Sequence, residues 1–201
     1  MKQQLESVRI GHHIIALYES KDARFNEAFS FLKMGLDNNE VAMLITDGMT
    51  KGEARDRMRR EWTLNVDAFE AAGNIILKTP QEWYFPKNNR PDKSRIVALW
   101  WSALAELATI RGKKGLRVVG DVGSFFKHGY ASDLIHYETE LTPQFEIPMT
   151  ALCQYEAQDI YGKLPADISE HVKGHHCQIW ENSPPNWFLR IQNAARCVGL
   201  C

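Results

Sequence analysis

The stretch Ile14-Ile15-Ala16-Leu17-Tyr18-Glu19-Ser20-Lys21-Asp22-Ala23-Arg24 decides how this chain is read. Its first five residues form an apolar run that predicts a buried strand. After Glu19-Ser20-Lys21 the residues Phe25, Ala28, Phe29, Leu32 and Leu36 recur at helical spacing. A strand running into a helix through so short a junction is where many α/β proteins hold a nucleotide phosphate, because the free N–H groups of the helix N-terminus favour an anion. That chemistry needs glycines for close backbone approach, a Lys for the β- and γ-phosphates and a Ser or Thr for magnesium, in the pattern G-x-x-x-x-G-K-[ST]. The junction here contains no glycine, and Glu19 and Asp22 repel a phosphate chain. Lys21 and Arg24 keep some positive charge at the helix head. The balance weighs against ATP, and the scaffold is expected to bind something else.

Outward from this unit, apolar runs alternate with helical stretches. Further strands are expected at Val41–Thr46, Ile75–Leu77, Leu116–Gly120 and Met149–Tyr155, with a short one at Cys177–Trp180. Helices are expected near 51–62, 66–72 and 132–141, and a long one precedes Leu116 with Ile96, Leu99, Trp100, Ala103, Leu104 and Leu107 as its buried stripe. Such alternation predicts an α/β domain with a mostly parallel central sheet between helical layers. The segment Trp83 to Asp92, with Pro86, Asn88-Asn89 and Pro91, reads as a loop beyond a strand end, where open α/β sheets bind ligands. After Pro184-Pro185 a terminal amphipathic helix is expected over 182–201, separate from the main unit at 9–181.

At 201 residues one core suffices, and 44% hydrophobic with 24% charged residues is ordinary for a globular protein. A net charge of −1 argues against direct nucleic-acid binding. The basic stretch Lys51–Arg60 has acids interleaved at helical spacing and reads as a solvated helix face. No apolar run approaches membrane-spanning length, and Met1–Glu6 lacks a signal core, so a cytoplasmic protein with no membrane partner is expected. The four cysteines, Cys153, Cys177, Cys197 and Cys201, lack the spacing of a disulfide scaffold and are expected to be reduced.

The motifs His12-His13-Ile14-Ile15-Ala16-Leu17-Tyr18-Glu19, Glu82-Trp83-Tyr84, Gly115–Asp121, Tyr137-Glu138, Ala151-Leu152-Cys153-Gln154-Tyr155 and His175-His176 together resemble the MEDS family, the methanogen/methylotroph sensory domain. The resemblance spans roughly residues 9 to 181. It implies a divergent RecA/KaiC-like, P-loop NTPase-type architecture with a degenerate phosphate loop. It also implies a non-catalytic sensory role for small hydrocarbon-derived compounds in signal transduction or transcriptional regulation. By the same likeness Asp121 stands where the ATPases hold the magnesium shell, and Asp47 is the nearest match to their water-activating acid.

Residue chemistry leaves several readings side by side. His13, His175, His176, Cys153 and Cys177 invite a transition metal, since imidazole and thiolate suit zinc, copper or iron. Adjacent histidines on a strand point to opposite faces, so only one of His12 and His13 can serve a given site. Against this stands the plain alternative, histidines satisfying strand ends and Cys153 acting as a small hydrophobe. Tyr18, Trp83, Tyr84, Phe85, Phe125, Phe126 and Tyr155 follow or end strands and suit either an apolar pocket or the core. Glu19, Asp47, Asp121 and Glu156 suit either ligand contacts or helix capping. The favoured expectation is a small organic ligand at the C-terminal sheet edge, contacted by Tyr18, Glu19, Asp47, Trp83, Asp121, Tyr155 and His176. The partner is then a kinase, a transcription regulator or a second copy of the chain. A metal or redox sensor and a divergent ATPase are the rivals.

Overall fold

A computed structural model describes residues 2–86, 90–92 and 94–181. The terminal segment 182–201, with the expected helix, Cys197 and Cys201, lies outside the described residues, as do 87–89 and 93 in the expected Trp83–Asp92 loop. In chain order the elements are α1 (Lys2–Ser7), β1 (His13–Tyr18), α2 (Lys21–Asp37), β2 (Val41–Ile45), α3 (Lys51–Glu61), α4 (Val66–Ala71), β3 (Ile75–Lys78), α5 (Pro80–Trp83) and α6 (Ser94–Ile110). They continue with β4 (Leu116–Gly120), α7 (Ser124–Lys127), α8 (Ala131–Glu140), β5 (Met149–Glu156), a π-helical turn (Asp159–Lys163), α9 (Ala166–Gly174) and β6 (Gln178–Glu181). Six strands form one sheet in the order β3-β2-β4-β5-β1-β6, and every strand pair is parallel.

The strands read as unbroken apolar runs because both sheet faces are covered. Side chains alternate across the sheet. On one face Ile15, Leu17, Met43, Val118, Cys153 and Tyr155 pack under α5 to α9. On the other Ile14, Ala16, Leu44, Val119 and Leu152 pack against α2, α3 and α4. Helix starts follow local chemistry. Ser20 caps α2 by accepting from the Ala23 N–H at 3.2 Å, and Thr50 with Glu53 and Thr79 with Glu82 form capping boxes on α3 and α5. Four basic residues of α3 are paired: Arg55 with Glu70, Arg57 with Glu61, Arg59 with Asp56 and Asp67, and Lys51 with Glu82.

One stripe differs from expectation. Helix α6 buries Val97, Trp101, Ala105 and Ala108, while Leu99 is 61% and Leu107 40% exposed. Its sequence is apolar nearly all round, so periodicity alone does not fix which side faces inward. Packing against Trp83 and Tyr137 selects the Trp101 side. Among the described residues no helix is long and apolar enough to cross a membrane.

Candidate functional site

The residues expected at one strand-end site fall into three places. On the α2 face, Tyr18, Asp47 and Asp121 gather around Arg24. The Arg24 guanidinium forms an ion pair with Asp121, and Nε donates to Gln154 Oε1 at 3.2 Å. Gln154 Nε2 in turn donates to the Arg24 carbonyl at 3.0 Å. The guanidinium also lies over the Tyr18 ring, 5.0 Å from its centre. Asp121 is wholly buried and accepts from the Asp47 N–H at 3.4 Å, while Lys127 donates to the Asp47 carboxylate at 2.8 Å. Burial pushes the Asp121 carboxyl up to about 6, with Arg24 acting in the opposite direction. Glu19 is exposed and stands apart from this network. Of the two cations at the head of α2, Arg24 is thus directed at the chain's own strand-end acid, while Lys21 is exposed.

Trp83 lies elsewhere, in an aromatic layer on the opposite face. Its ring is 4.5 Å from Trp101 and 5.7 Å from Trp100, and Tyr84, Phe85, Phe125 and Tyr137 extend the layer. Trp83, Tyr84, Phe85 and Phe125 are all buried. Of the two readings open for these aromatics, packing in the core is the one observed.

The third place unites Tyr155 and His176 with His13 and Cys153. Odd-numbered positions of β1 and β5 face α8 and α9, which sends His13, Cys153 and Tyr155 to one side and Gln154 to the other. His176 joins them because the Cys177 N–H donates to the His13 carbonyl at 2.8 Å, setting the segment before β6 alongside β1. His176 is buried and Cys177 is exposed. His175 turns away, its Nδ1 3.2 Å from the Leu141 carbonyl and its ring against His171. A residue quoted beforehand only within the Tyr137-Glu138 motif, and not among the candidate ligands, completes the group: Glu138 of α8, wholly buried. Its signal is an acid on an otherwise apolar helix stripe, beside Leu134, Tyr137 and Leu141.

The polar atoms of this cluster converge. His13 Nε2 is 3.3 Å from Cys153 Sγ and 3.8 Å from Glu138 Oε2, and His176 Nε2 is 3.6 Å from Glu138 Oε2. The outward nitrogens are anchored: His13 Nδ1 lies 3.1 Å from the Thr142 carbonyl and His176 Nδ1 2.8 Å from the Val172 carbonyl. A carbonyl only accepts, so each Nδ1 carries the proton and each Nε2 turns a lone pair inward. Tyr155 donates its hydroxyl hydrogen to Glu138 Oε1. Glu138 Oε2 and His176 Nε2 make no hydrogen bond. Burial pushes the Glu138 carboxyl up to about 8, brings His13 down to about 4 and holds the Cys153 thiol well above its usual range.

Beside this cluster lies a surface pocket of about 170 Å³ lined by the apolar Ala98, Trp101, Leu141, Phe145, Ile147 and Met149 and by the polar Ser102, Glu140, Thr142 and Glu146. Phe145 packs on the His13 ring at 4.8 Å, and Thr142 supplies the carbonyl that holds His13. Pocket and cluster therefore share a wall.

The family model of MEDS, the methanogen/methylotroph, DcmR sensory domain, matches residues 12–175. No curated protein and no solved structure matches the chain.

Proposed function

Because the chain belongs to the MEDS sensory family, we propose that it is a non-catalytic sensory domain. It binds a small organic, hydrocarbon-derived compound and acts on a kinase, a transcription regulator or a second copy of itself. The observation that supports the ligand class is the pocket of about 170 Å³ against His13, whose lining is mostly apolar with Ser102, Thr142 and two glutamates among it. A cavity of about 150 Å³ lined by apolar side chains is known to admit benzene, whereas drug-sized ligands need roughly 300 Å³ or more. The end of α8 and the turn after it form one wall of the pocket, and the same helix carries Glu138. An occupant that prefers one placement of α8 shifts the population of that placement, which is the physical content of sensing.

The divergent-ATPase reading is disfavoured by the Arg24–Asp121 pair, because a nucleotide phosphate and magnesium would have to compete with a buried ion pair for both partners. Thermal unfolding of untagged protein with benzene and, separately, with magnesium–ATP tests the reading. A ligand that binds only the native state raises the melting temperature. Benzene is expected to raise it, Ala98→Phe to abolish that rise by filling the pocket, and magnesium–ATP to leave the temperature unchanged. Stabilisation by magnesium–ATP with none by benzene would contradict the proposal.

A further inference from the structure

We propose that His13, Cys153 and His176, with Glu138 as fourth ligand, form a binding site for one divalent transition-metal ion of the zinc class. The three nitrogen and sulfur atoms lie within 4.8 Å of one another. Metal–ligand bonds of ~2.0–2.3 Å in a tetrahedron place neighbouring donors about 3.3–3.8 Å apart. Three of the six edges of a four-ligand tetrahedron, 3.3 Å for His13–Cys153, 3.6 Å for His176–Glu138 and 3.8 Å for His13–Glu138, fall in that range, and the edges from His176 to His13 and Cys153 are within 4.8 Å, so the ligands draw together on binding.

A metal-free account of the cluster leaves a remainder. The Cys153 thiol can donate to His13 Nε2 at 3.3 Å, which satisfies that pair. The 3.6 Å between His176 Nε2 and Glu138 Oε2 exceeds hydrogen-bond reach, so two wholly buried polar atoms face each other unsatisfied. Other buried side-chain atoms of the chain also lack a hydrogen-bond partner, but among the described residues only here do two of them face each other from potential metal ligands. A cation between them answers both.

The surroundings are those of a metal centre. Both imidazoles are held by carbonyls through Nδ1, which fixes the ring planes and presents Nε2, and Tyr155 orients the carboxylate from behind. A Cys thiolate and a Glu carboxylate carry two negative charges, which a divalent ion cancels, so the buried assembly is neutral. On binding, the Cys153 thiol and a protonated Glu138 release their protons to solvent, and no oxidation or reduction occurs. The mixed nitrogen, sulfur and oxygen set suits zinc and, as spectroscopic stand-in, cobalt(II). The inference is independent of the organic-ligand reading, since a metal can bind whether or not benzene enters the neighbouring pocket.

Elemental analysis of freshly purified, untagged protein, followed by chelation and titration of the intact chain with cobalt(II), tests this. One metal ion per chain is expected, together with a thiolate-to-cobalt charge-transfer band that saturates at one equivalent. Cys153→Ser removes the band, His176→Ala weakens binding at least tenfold, Tyr155→Phe weakens it by ~10–100-fold as an orienting partner, and His175→Ala leaves it intact. The wild-type spectrum decides by itself should a variant fail to fold. Folded wild-type protein that takes up no cobalt, or takes it up without a thiolate band, overturns the proposal.

Discussion

Arg24 ties the head of α2 to the sheet. At the head of α2 its guanidinium meets Asp121, Gln154 and the Tyr18 ring, all buried. Removing one partner of a buried ion pair leaves an uncompensated charge and costs ~3–5 kcal/mol, whereas apolar replacement of both is far milder. Urea unfolding is therefore expected to show Arg24→Ala destabilised by about that amount, and Arg24→Met with Asp121→Leu closer to wild type. A neutral Arg24→Ala would mean the pair is not formed in solution. This joint was half legible in the sequence. The missing glycines and the two acids at the junction argued against a phosphate, but nothing in the spacing told that Arg24 would turn inward. Likewise His13, Cys153 and His176 could be named as candidates from their side-chain chemistry. Their convergence depends on strand parity and on contacts between positions as far apart in sequence as His13 and His176, which no local pattern encodes. Glu138, quoted only within a motif, was given no role because a single acid in a helix is ordinary until its neighbours prove to be buried.

Among the elements, α2 is fitted to the sheet through a second buried pair. Arg117 on β4 donates to both Glu40 oxygens at 2.7 and 2.8 Å and lies under Phe31 of α2. Gly35 makes room for it: a Cβ there would stand 2.5 Å from Arg117 Cδ and 2.8 Å from its Cβ. Gly35→Ala, normally favourable in a helix by roughly 1 kcal/mol, is thus expected to lower stability by ~1–3 kcal/mol through overpacking, measured by chemical denaturation. Helix α6 provides the converse case. Its near-uniform apolar sequence concealed its phase, and the inward side proved to be Val97, Trp101, Ala105 and Ala108. Trp101→Ala should cost ~3–5 kcal/mol as a buried aromatic truncation, while Leu99→Lys should stay within about 0.5 kcal/mol. Equal losses at the two positions would show that α6 packs with a different face.

For the whole molecule, a parallel sheet with helices on both sides separates two polar centres through side-chain parity together with strand order. The α2 face holds the Arg24–Asp121 joint, and the α8–α9 face holds His13, Cys153, Glu138 and His176 beside the small pocket. Strand positions and the parallel class were readable because runs buried on both faces carry a strong apolar signal. The division of chemistry between the faces was not, since it follows from the order β3-β2-β4-β5-β1-β6, which sets β5 and β6 on either side of β1. We propose that sensing belongs to the pocket beside His13 and that the head of α2 is closed to nucleotide. Amide hydrogen exchange read by mass spectrometry, on the protein alone, with benzene and with magnesium–ATP, separates these two places. Slower exchange is expected over residues 97–102 and 138–149 with benzene, and no change over 18–28 or 120–127 with magnesium–ATP. Protection of 18–28 and 120–127 by magnesium–ATP, with none near 138–149 from benzene, would contradict the proposal.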